Sequence, residues 1–406
     1  MKFSGYRVAL GAGLICMASL GFGYLTLSLY LPILATELQA SSTVISVMFA
    51  VLGATGMAVS FLSGKVIQVI GIKPLVGIGC LGLVLGYVVL YFAGNVAMVY
   101  AAAALIGVGL SWGGLICIGN LIPNWFIARQ GFMLGLTTGA CGIGGIIGNP
   151  VVSALIAGYG WRTACLVTVG FMLVLLVPAM FLIIPKPEDV GQTPLGYDSA
   201  GAGAAHSAAG PGFKGAVGSA SFVFLVLTLI GAGLFISGMS PHVPAMLLEK
   251  GADIVFVGTI MAVVSAFNTV GNVLFGVVND KFGIRAVLFL ACLCGVLGML
   301  LVFFSQGRIV FLLFGLLFGL AMPLPGAVVA MMTLGLYGTR DLPQLLGMTN
   351  GIIGLVGVFA ALITGAMRDV TGSYSLSILV MAGVVALTCL TFFIAYGQSR
   401  KLSDAL

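Results

Sequence analysis

Charge is what this sequence has least of. Only 6% of its 406 residues are Asp, Glu, Lys or Arg and 61% are apolar, against roughly a quarter charged and half apolar in an ordinary soluble domain. Water is therefore not its main solvent. Two histidines and eight scattered cysteines, of which only Cys292 and Cys294 stand close together, give no Cys/His spacing suited to a metal; neither a metal nor a cofactor is expected. A Gly-rich phosphate loop ending in Lys-Ser/Thr is missing, and so are HExxH and an intramembrane carboxylate pair, which argues against a nucleotide-driven pump and against an enzyme. The net charge of +6 is spread over short loops instead of forming a patch, so no nucleic-acid partner is implied. Nothing is left over for a soluble domain of any size, which excludes a large enzyme module or sensor.

Long apolar runs are what the chain does have. A bilayer core about 30 Å thick takes roughly 20 apolar residues per helix, and by that ruler about twelve spans follow one another. Their cores are 8–34, 44–63, 75–93, 97–122, 131–157 and 163–184, then 222–247, 255–278, 286–304, 309–334, 347–366 and 375–395. The opening Lys2 to Arg7 imitates a secretory signal, but the run behind it reaches Leu34, past a signal core of about 7 to 15 residues; it reads as a retained first helix. Threading the helices back and forth places every Lys and Arg except Arg162, Lys250, Arg308 and Arg368 on one side. By the positive-inside rule that side is cytoplasmic and holds both termini, which implies a multi-pass protein of the cytoplasmic (inner) membrane.

The chain is also a duplication. The stretch from Gly64 to Lys73 returns as Gly276 to Arg285, displaced by about 212 residues, roughly half the length. The same displacement pairs Pro32 with Pro244, Glu37 with Glu249, Gly86 with Gly298, Gly107 with Gly319 and Gly114 with Gly326. An even helix number in each half makes the repeats parallel, related by an axis along the membrane normal. The expected architecture is an all-α membrane protein of twelve transmembrane helices in two pseudo-symmetric six-helix bundles, 1–184 and 220–406. A cytoplasmic linker, 185–219, joins them, and its Gly/Ala/Ser stretch from Ser199 to Ala205 marks flexibility. The fifth helix carries Gly131, Gly135, Gly139, Gly142, Gly145 and Gly148, and the eleventh opens with Gly347 and Gly351; such faces serve either close packing or sliding. Pro323 and Pro325 each leave a carbonyl of the tenth helix without its donor, a break that suits a gate.

The repeated loop resembles the Gly-x-x-x-Asp-Arg/Lys-x-Gly-Arg/Lys signature of the major facilitator superfamily. It stands here as Gly276, Asp280, Lys281, Gly283 and Arg285, with Ile284 as an extra residue, and in the first half as Gly64, Gln68, Gly71 and Lys73. Trp125-Phe126 with Arg129 and Gly131, the Tyr159-Gly160-Trp161-Arg162 turn, Pro187-Glu188-Asp189-Val190-Gly191 and His242-Val243-Pro244 are similar to the monocarboxylate and oxalate/formate branch. The resemblance implies a secondary transporter, a symporter or antiporter, that moves a small organic acid by rocker-switch alternating access and works as a monomer. It also implies a conformational latch in the two loop copies. Asp280 is expected near the start of helix five at Gly131, where the helix dipole favours negative charge, and the matching latch of Gln68 with helix eleven near Gly347 is expected to be weaker.

Carboxylate carriers of this branch commonly have an Arg in helix eight one residue after a glycine; here Asn272 follows Gly271, and helix eleven has no Lys. No predicted helix has a charged residue at its middle, which is uncommon for a carrier of a charged ligand. A neutral or zwitterionic ligand stays open, as does export of apolar or drug-like compounds; a non-transporting receptor or scaffold is the third class. Asn268 and Asn272 project from one helix face and either line a watered cavity or bond other helices. Gly56 and Ser60 hold their positions in the first half. Tyr24, Tyr30 and Trp112 either line a small cavity or pack. His242, at the repeat position of Tyr30, is a further cavity candidate and the proton-coupling candidate, unless it is a hydrogen-bonded structural histidine. The expected partners are a small-molecule substrate and the lipid bilayer.

Overall fold

A computed structural model describes residues 3–127, 130–196, 213–338 and 341–403. Arg129, Arg340 and the Ser199 to Ala205 stretch lie outside them. Twelve helical passes follow in order: α1 Gly5–Glu37, α2 Ser42–Ile70, α3 Ile72–Tyr91, α4 Val96–Trp125, then α5 and α6 within Gln130–Leu182, divided at Gly160 (φ 81°). The second half gives α7 Ala220–Glu249, α8 Ile254–Phe282, α9 Ile284–Phe304, α10 in two pieces, Arg308–Ala321 and Ala327–Tyr337, α11 Leu342–Thr371 and α12 Ser375–Ser403. Among the described residues, ten stretches are long and apolar enough to cross a membrane. One of them, Phe132–Leu182, holds two passes back to back, and the pieces of α10 supply the remaining one, which accounts for the twelve expected.

Several helix starts are set by side chains that accept from exposed N–H groups, the usual device at a helix N-terminus. Ser41 accepts from Val44 N–H (3.3 Å) and its repeat partner Asp253 from Phe256 N–H (2.9 Å); Asn95 and Ser219 do the same for α4 and α7. Two stretches are wound wider than an α-helix, Met17–Tyr24 in α1 and Gly109–Leu115 in α4. Wide turns of this kind concentrate at functional places in helices.

The chain divides into two compact units. The first takes α1 to α6 with the opening part of α8, Asp253–Ser265; the second takes α7, α8 from Ala266 onward, and α9 to α12.

Within each unit the duplicated loop does the same work. Gly71 (φ 82°, ψ 170°) joins α2 to α3, and Gly283 (φ 76°, ψ 171°) joins α8 to α9; this left-handed, extended backbone is almost confined to glycine. The basic residue two positions on then anchors the turn. Lys73 Nζ donates to Ile183 O at the end of α6 (3.0 Å), and the Arg285 guanidinium lies over the Tyr396 ring on α12 (4.7 Å). Cations suit helix C-termini, where carbonyls lack donors, and aromatic faces, which carry negative charge.

Residues 185–196 are folded against the first unit. Trp125 Nε1 donates to Ile184 O, Leu195 N–H to Trp125 O and Ile127 N–H to Leu195 O, and Gln192 accepts from Ser4 N–H. All eight cysteines are unpaired thiols.

The glycines of α5 do not act as one stripe. A methyl group at Gly135 or Gly139 would meet nothing within 4 Å, whereas one at Gly144 would collide with Gly21 of α1 and one at Gly145 with Ser265 of α8. Of the stripe glycines, Gly145 and Gly148 are thus closely packed, with Gly144 beside them, whereas Gly135 and Gly139 are not. Gly347 and Gly351 of α11 also face open space.

Candidate substrate-facing site

In the first unit, α2 and α4 are tied by two polar contacts. Ser60 Oγ and Ser111 Oγ share a hydrogen bond of 2.7 Å, and Trp112 Nε1 donates to Val59 O at 3.0 Å. Trp112 and Tyr24 both sit in the wide turns and keep part of their surface exposed. Tyr30 is different: it is fully buried, edge-on to Tyr87 and beside Cys165 and Thr168, and its hydroxyl has no hydrogen-bond partner.

In the second unit the same helix pair carries different chemistry. The repeat partners of Ser60 and Ser111 are Asn272 and Pro323. Asn272 is exposed and Asn268, one turn earlier, half-buried; Asn272 Nδ2 donates to Asn268 O (2.8 Å) and to Asn268 Oδ1 (3.3 Å). Beside them α10 is broken between Ala321 and Ala327, as Pro323 and Pro325 predict, since neither supplies an N–H. Gly271 packs on that break: a methyl group there would lie 3.2 Å from Pro323 Cγ and 3.4 Å from Leu320 O. The two amides and the break therefore lie beside each other, a neighbourhood that no spacing along the chain announces.

His242 is fully buried at the bend of α7. Its Nε2 lies 2.9 Å from Ala361 O and its Nδ1 3.0 Å from Tyr374 Oη. A carbonyl only accepts, so Nε2 carries the proton toward Ala361, and in the neutral ring Nδ1 accepts from the tyrosine. Both partners lie more than a hundred residues away in the chain, on α11 and just before α12, and no local pattern announces them.

Two further sets of polar groups find partners that spacing along the chain does not announce. Asn149, fully buried on α5, donates through Nδ2 to Gly145 O (2.8 Å) and to Ser265 Oγ (3.4 Å), while its Oδ1 has no hydrogen-bond partner. At the α1 and α7 ends, Glu37 pairs with Arg162 (2.9 Å), and its repeat partner Glu249 accepts from Ser373 Oγ (2.8 Å) and Tyr374 N–H (3.0 Å) with Arg368 at 3.8 Å. In the loop copies, Gly64, Gln68, Asp280 and Lys281 are exposed and Gly276 half-buried. Among the described residues the ion pairs are those of Glu37 and Glu249, so Asp280 is in none.

Duplicated bundles, helices wide or broken midway along their apolar length, and uncharged polar groups beside those irregularities are features of a multi-pass membrane transporter. Residues 13–335 match the family model described as Major Facilitator Superfamily. Relatives include the uncharacterized MFS-type transporter YcxA of Bacillus subtilis (strain 168), 22% identical over 387 residues, covering 91% of this chain and 90% of that one. Monocarboxylate transporter 12-B of Danio rerio is 26% identical over 353 residues, covering 79% and 73%. Among solved structures, a bacterial homologue of the human lysosomal transporter Spinster, inward-facing and unoccupied, aligns with a TM-score of 0.68 at 13% identity, over 98% of this chain and 97% of that one. The chain belongs to the Major Facilitator Superfamily.

Proposed function

We propose that this transporter carries a small, monocarboxylate-like organic acid across the cytoplasmic membrane by alternating access of its two bundles, with both termini cytoplasmic, as a monomer. The observation that carries the reading is the likeness to a monocarboxylate transporter over most of both chains; the branch-like motifs around Trp125, Arg162 and His242 support it. Asn268, Asn272, Trp112 and Tyr24 are the side chains suited to meet the substrate, because they combine polar atoms with exposed surface. The loops at Gly64, Gln68, Gly71 and Lys73 and at Gly276, Asp280, Lys281, Gly283 and Arg285 act as unequal latches, only the second having a carboxylate. Pro323 and Pro325 provide the bend that gates. Export of an apolar compound is the second reading, favoured by the uncharged middle of every helix.

Counterflow in proteoliposomes with labelled lactate, pyruvate, oxalate, formate and a lipophilic cation separates them. Exchange of one of the acids supports the carrier reading, and exchange of the cation alone refutes it. Proton coupling through His242 is tested by His242→Ala: uptake driven by a pH gradient falls, and an unchanged proton dependence removes His242 from the mechanism.

A further inference from the structure

We propose that Tyr87 is a positioning residue for transport: from α3 its hydroxyl holds the peptide that leads into Tyr24, and so sets how the wide turn of α1 presents the Tyr24 hydroxyl to the ligand. This rests on the carrier reading above, in which Tyr24 meets the substrate, and adds a residue that acts through it.

The wide turn Met17–Tyr24 lies near the middle of α1. It closes with Leu25 N–H bonded to Leu20 O, five residues back, at 3.0 Å. The two carbonyls just before Tyr24 are each held by a side-chain hydroxyl: Thr26 Oγ1 donates to Phe22 O at 2.5 Å, and Tyr87 Oη to Gly23 O at 2.6 Å. The first bond stays within α1, whereas the second comes from α3 and ties the turn to a neighbouring helix. The Gly23 carbonyl and the Tyr24 N–H belong to one rigid plane. An anchor on that oxygen therefore fixes the direction in which Tyr24 leaves the backbone. Both ends of the bond are buried, so solvent does not stand in for a lost hydroxyl.

The same face of α3, with Gly79, Leu83 and Tyr87 at steps of four, backs both wide turns of the unit. A methyl group at Gly23 would lie 3.0 Å from Leu83 Cδ1, and one at Gly109, where the wide turn of α4 begins, 2.6 Å from Leu83 Cβ. One at Gly79 would collide with Gly113 N and with Trp112. Tyr24 and Trp112 are thus mounted on one support.

The second unit supplies the contrast. The repeat partners of Gly23, Leu83 and Tyr87 are Phe235, Gly295 and Met299. Bulk has changed sides there, since a methyl group at Gly295 would lie 3.1 Å from the Phe235 ring. Met299 has no hydroxyl, Ile236 stands at the place of Tyr24, and α7 is an ordinary α-helix from Ala220 to Met239. The wide turn, the tyrosine that holds its carbonyl and the hydroxyl that it presents therefore occur together in one bundle and are together missing from the matching helices of the other.

Two measurements on the full chain test this. The first needs no ligand: Tyr87→Phe keeps the ring and removes only the hydroxyl, so amide hydrogen exchange in detergent should quicken across Met17–Leu29 and stay as it was across Ala220–Met239. The second is counterflow of labelled L-lactate in proteoliposomes. A phenolic O–H donates to a carboxylate, so Tyr24→Phe should raise KM. Tyr87→Phe should raise KM about three- to tenfold, the size of one buried hydrogen bond, with Vmax within about twofold, the mark of a lost binding contact. In a Tyr24→Phe background it should raise KM no further. A residue that merely stabilised the bundle would give effects that multiply with those of Tyr24→Phe. An unchanged KM in Tyr87→Phe overturns the proposal, and so does a full effect that persists without the Tyr24 hydroxyl or an unchanged amide exchange in α1. If the unaltered protein exchanges no lactate, it is the carrier reading that fails for this acid, and the amide exchange still decides whether Tyr87 holds the turn.

Discussion

The two bundles agree where they are anchored and disagree where they are polar inside. Lys73 and Arg285, Trp125 and Tyr337, Glu37 and Glu249, Ser41 and Asp253 are repeat partners, and each pair performs one task with different atoms. Trp125 reaches Ile184 O directly, whereas Tyr337 donates to Ser221 Oγ, which donates in turn to Ala395 O. Such positions are held by the ends of helices, whose free carbonyls and N–H groups need partners whatever the cargo. The interior pairs have diverged in kind. His242 is bonded on both ring nitrogens, while Tyr30 has an unpartnered hydroxyl; Ala361 accepts from His242, while its repeat partner Asn149 has an unpartnered Oδ1. Ser60 and Ser111 close on each other, while Asn272 turns to Asn268 and Pro323 stands in the break of its helix. Duplication preserved the frame and released the inner faces to differ.

The strongest test of the shared frame lies at the two turn glycines. Replacing Gly71 or Gly283 with Val forces a β-branched residue into backbone that only glycine adopts readily, a cost of order 1–3 kcal/mol at each. Both variants should show clearly lower midpoints of thermal unfolding in detergent, by similar amounts. A neutral result at Gly71 alone would mean that the first copy of the loop is no longer under the constraint that shaped the second.

The interior difference predicts effects of opposite sign. His242→Phe removes the acceptor of Tyr374 Oη and the donor to Ala361 O, and leaving buried polar atoms without such bonds costs about 1–3 kcal/mol. Tyr30→Phe removes a hydroxyl that makes no bond, so it should leave stability unchanged or raise it slightly. Measuring both unfolding midpoints in one detergent breaks the comparison if Tyr30→Phe proves the more damaging.

Much of this frame was legible in the sequence because it is written in periods and spacings. Apolar run length gave the passes, the repeat gave the halves, and paired prolines gave the break in α10. The glycine turn was legible too, since few other residues can occupy it. What stayed hidden depends on contacts across the fold. Nothing near His242 points to Ala361 or Tyr374, and nothing near Asn149 points to Ser265. The Gly stripe of α5 misled for the same reason: spacing shows that glycines share a face, not which of them meet another backbone. Composition likewise marked 185–219 as linker, but Gln192 and Leu195 find backbone partners near the start of the chain and after α4, so its first part is folded.

The smallest effects are expected at the two carboxylates that close α1 and α7, and they sharpen the comparison because their surroundings differ. Glu37 and Arg162 are each 44% exposed, and such pairs contribute at most about 1 kcal/mol, less in salt. Glu37→Gln should therefore shift the unfolding midpoint little, and high salt should erase the shift. Glu249 holds Arg368 only at 3.8 Å, and its shorter contacts are to Ser373 Oγ and Tyr374 N–H, which an amide oxygen can still accept. Glu249→Gln should accordingly be mild and insensitive to salt, whereas Glu249→Ala should cost more, because it frees the turn that places Tyr374 against His242. If Glu249→Gln proved as damaging as Glu249→Ala, charge and not hydrogen bonding would be what holds that turn, and the two ends would be alike after all.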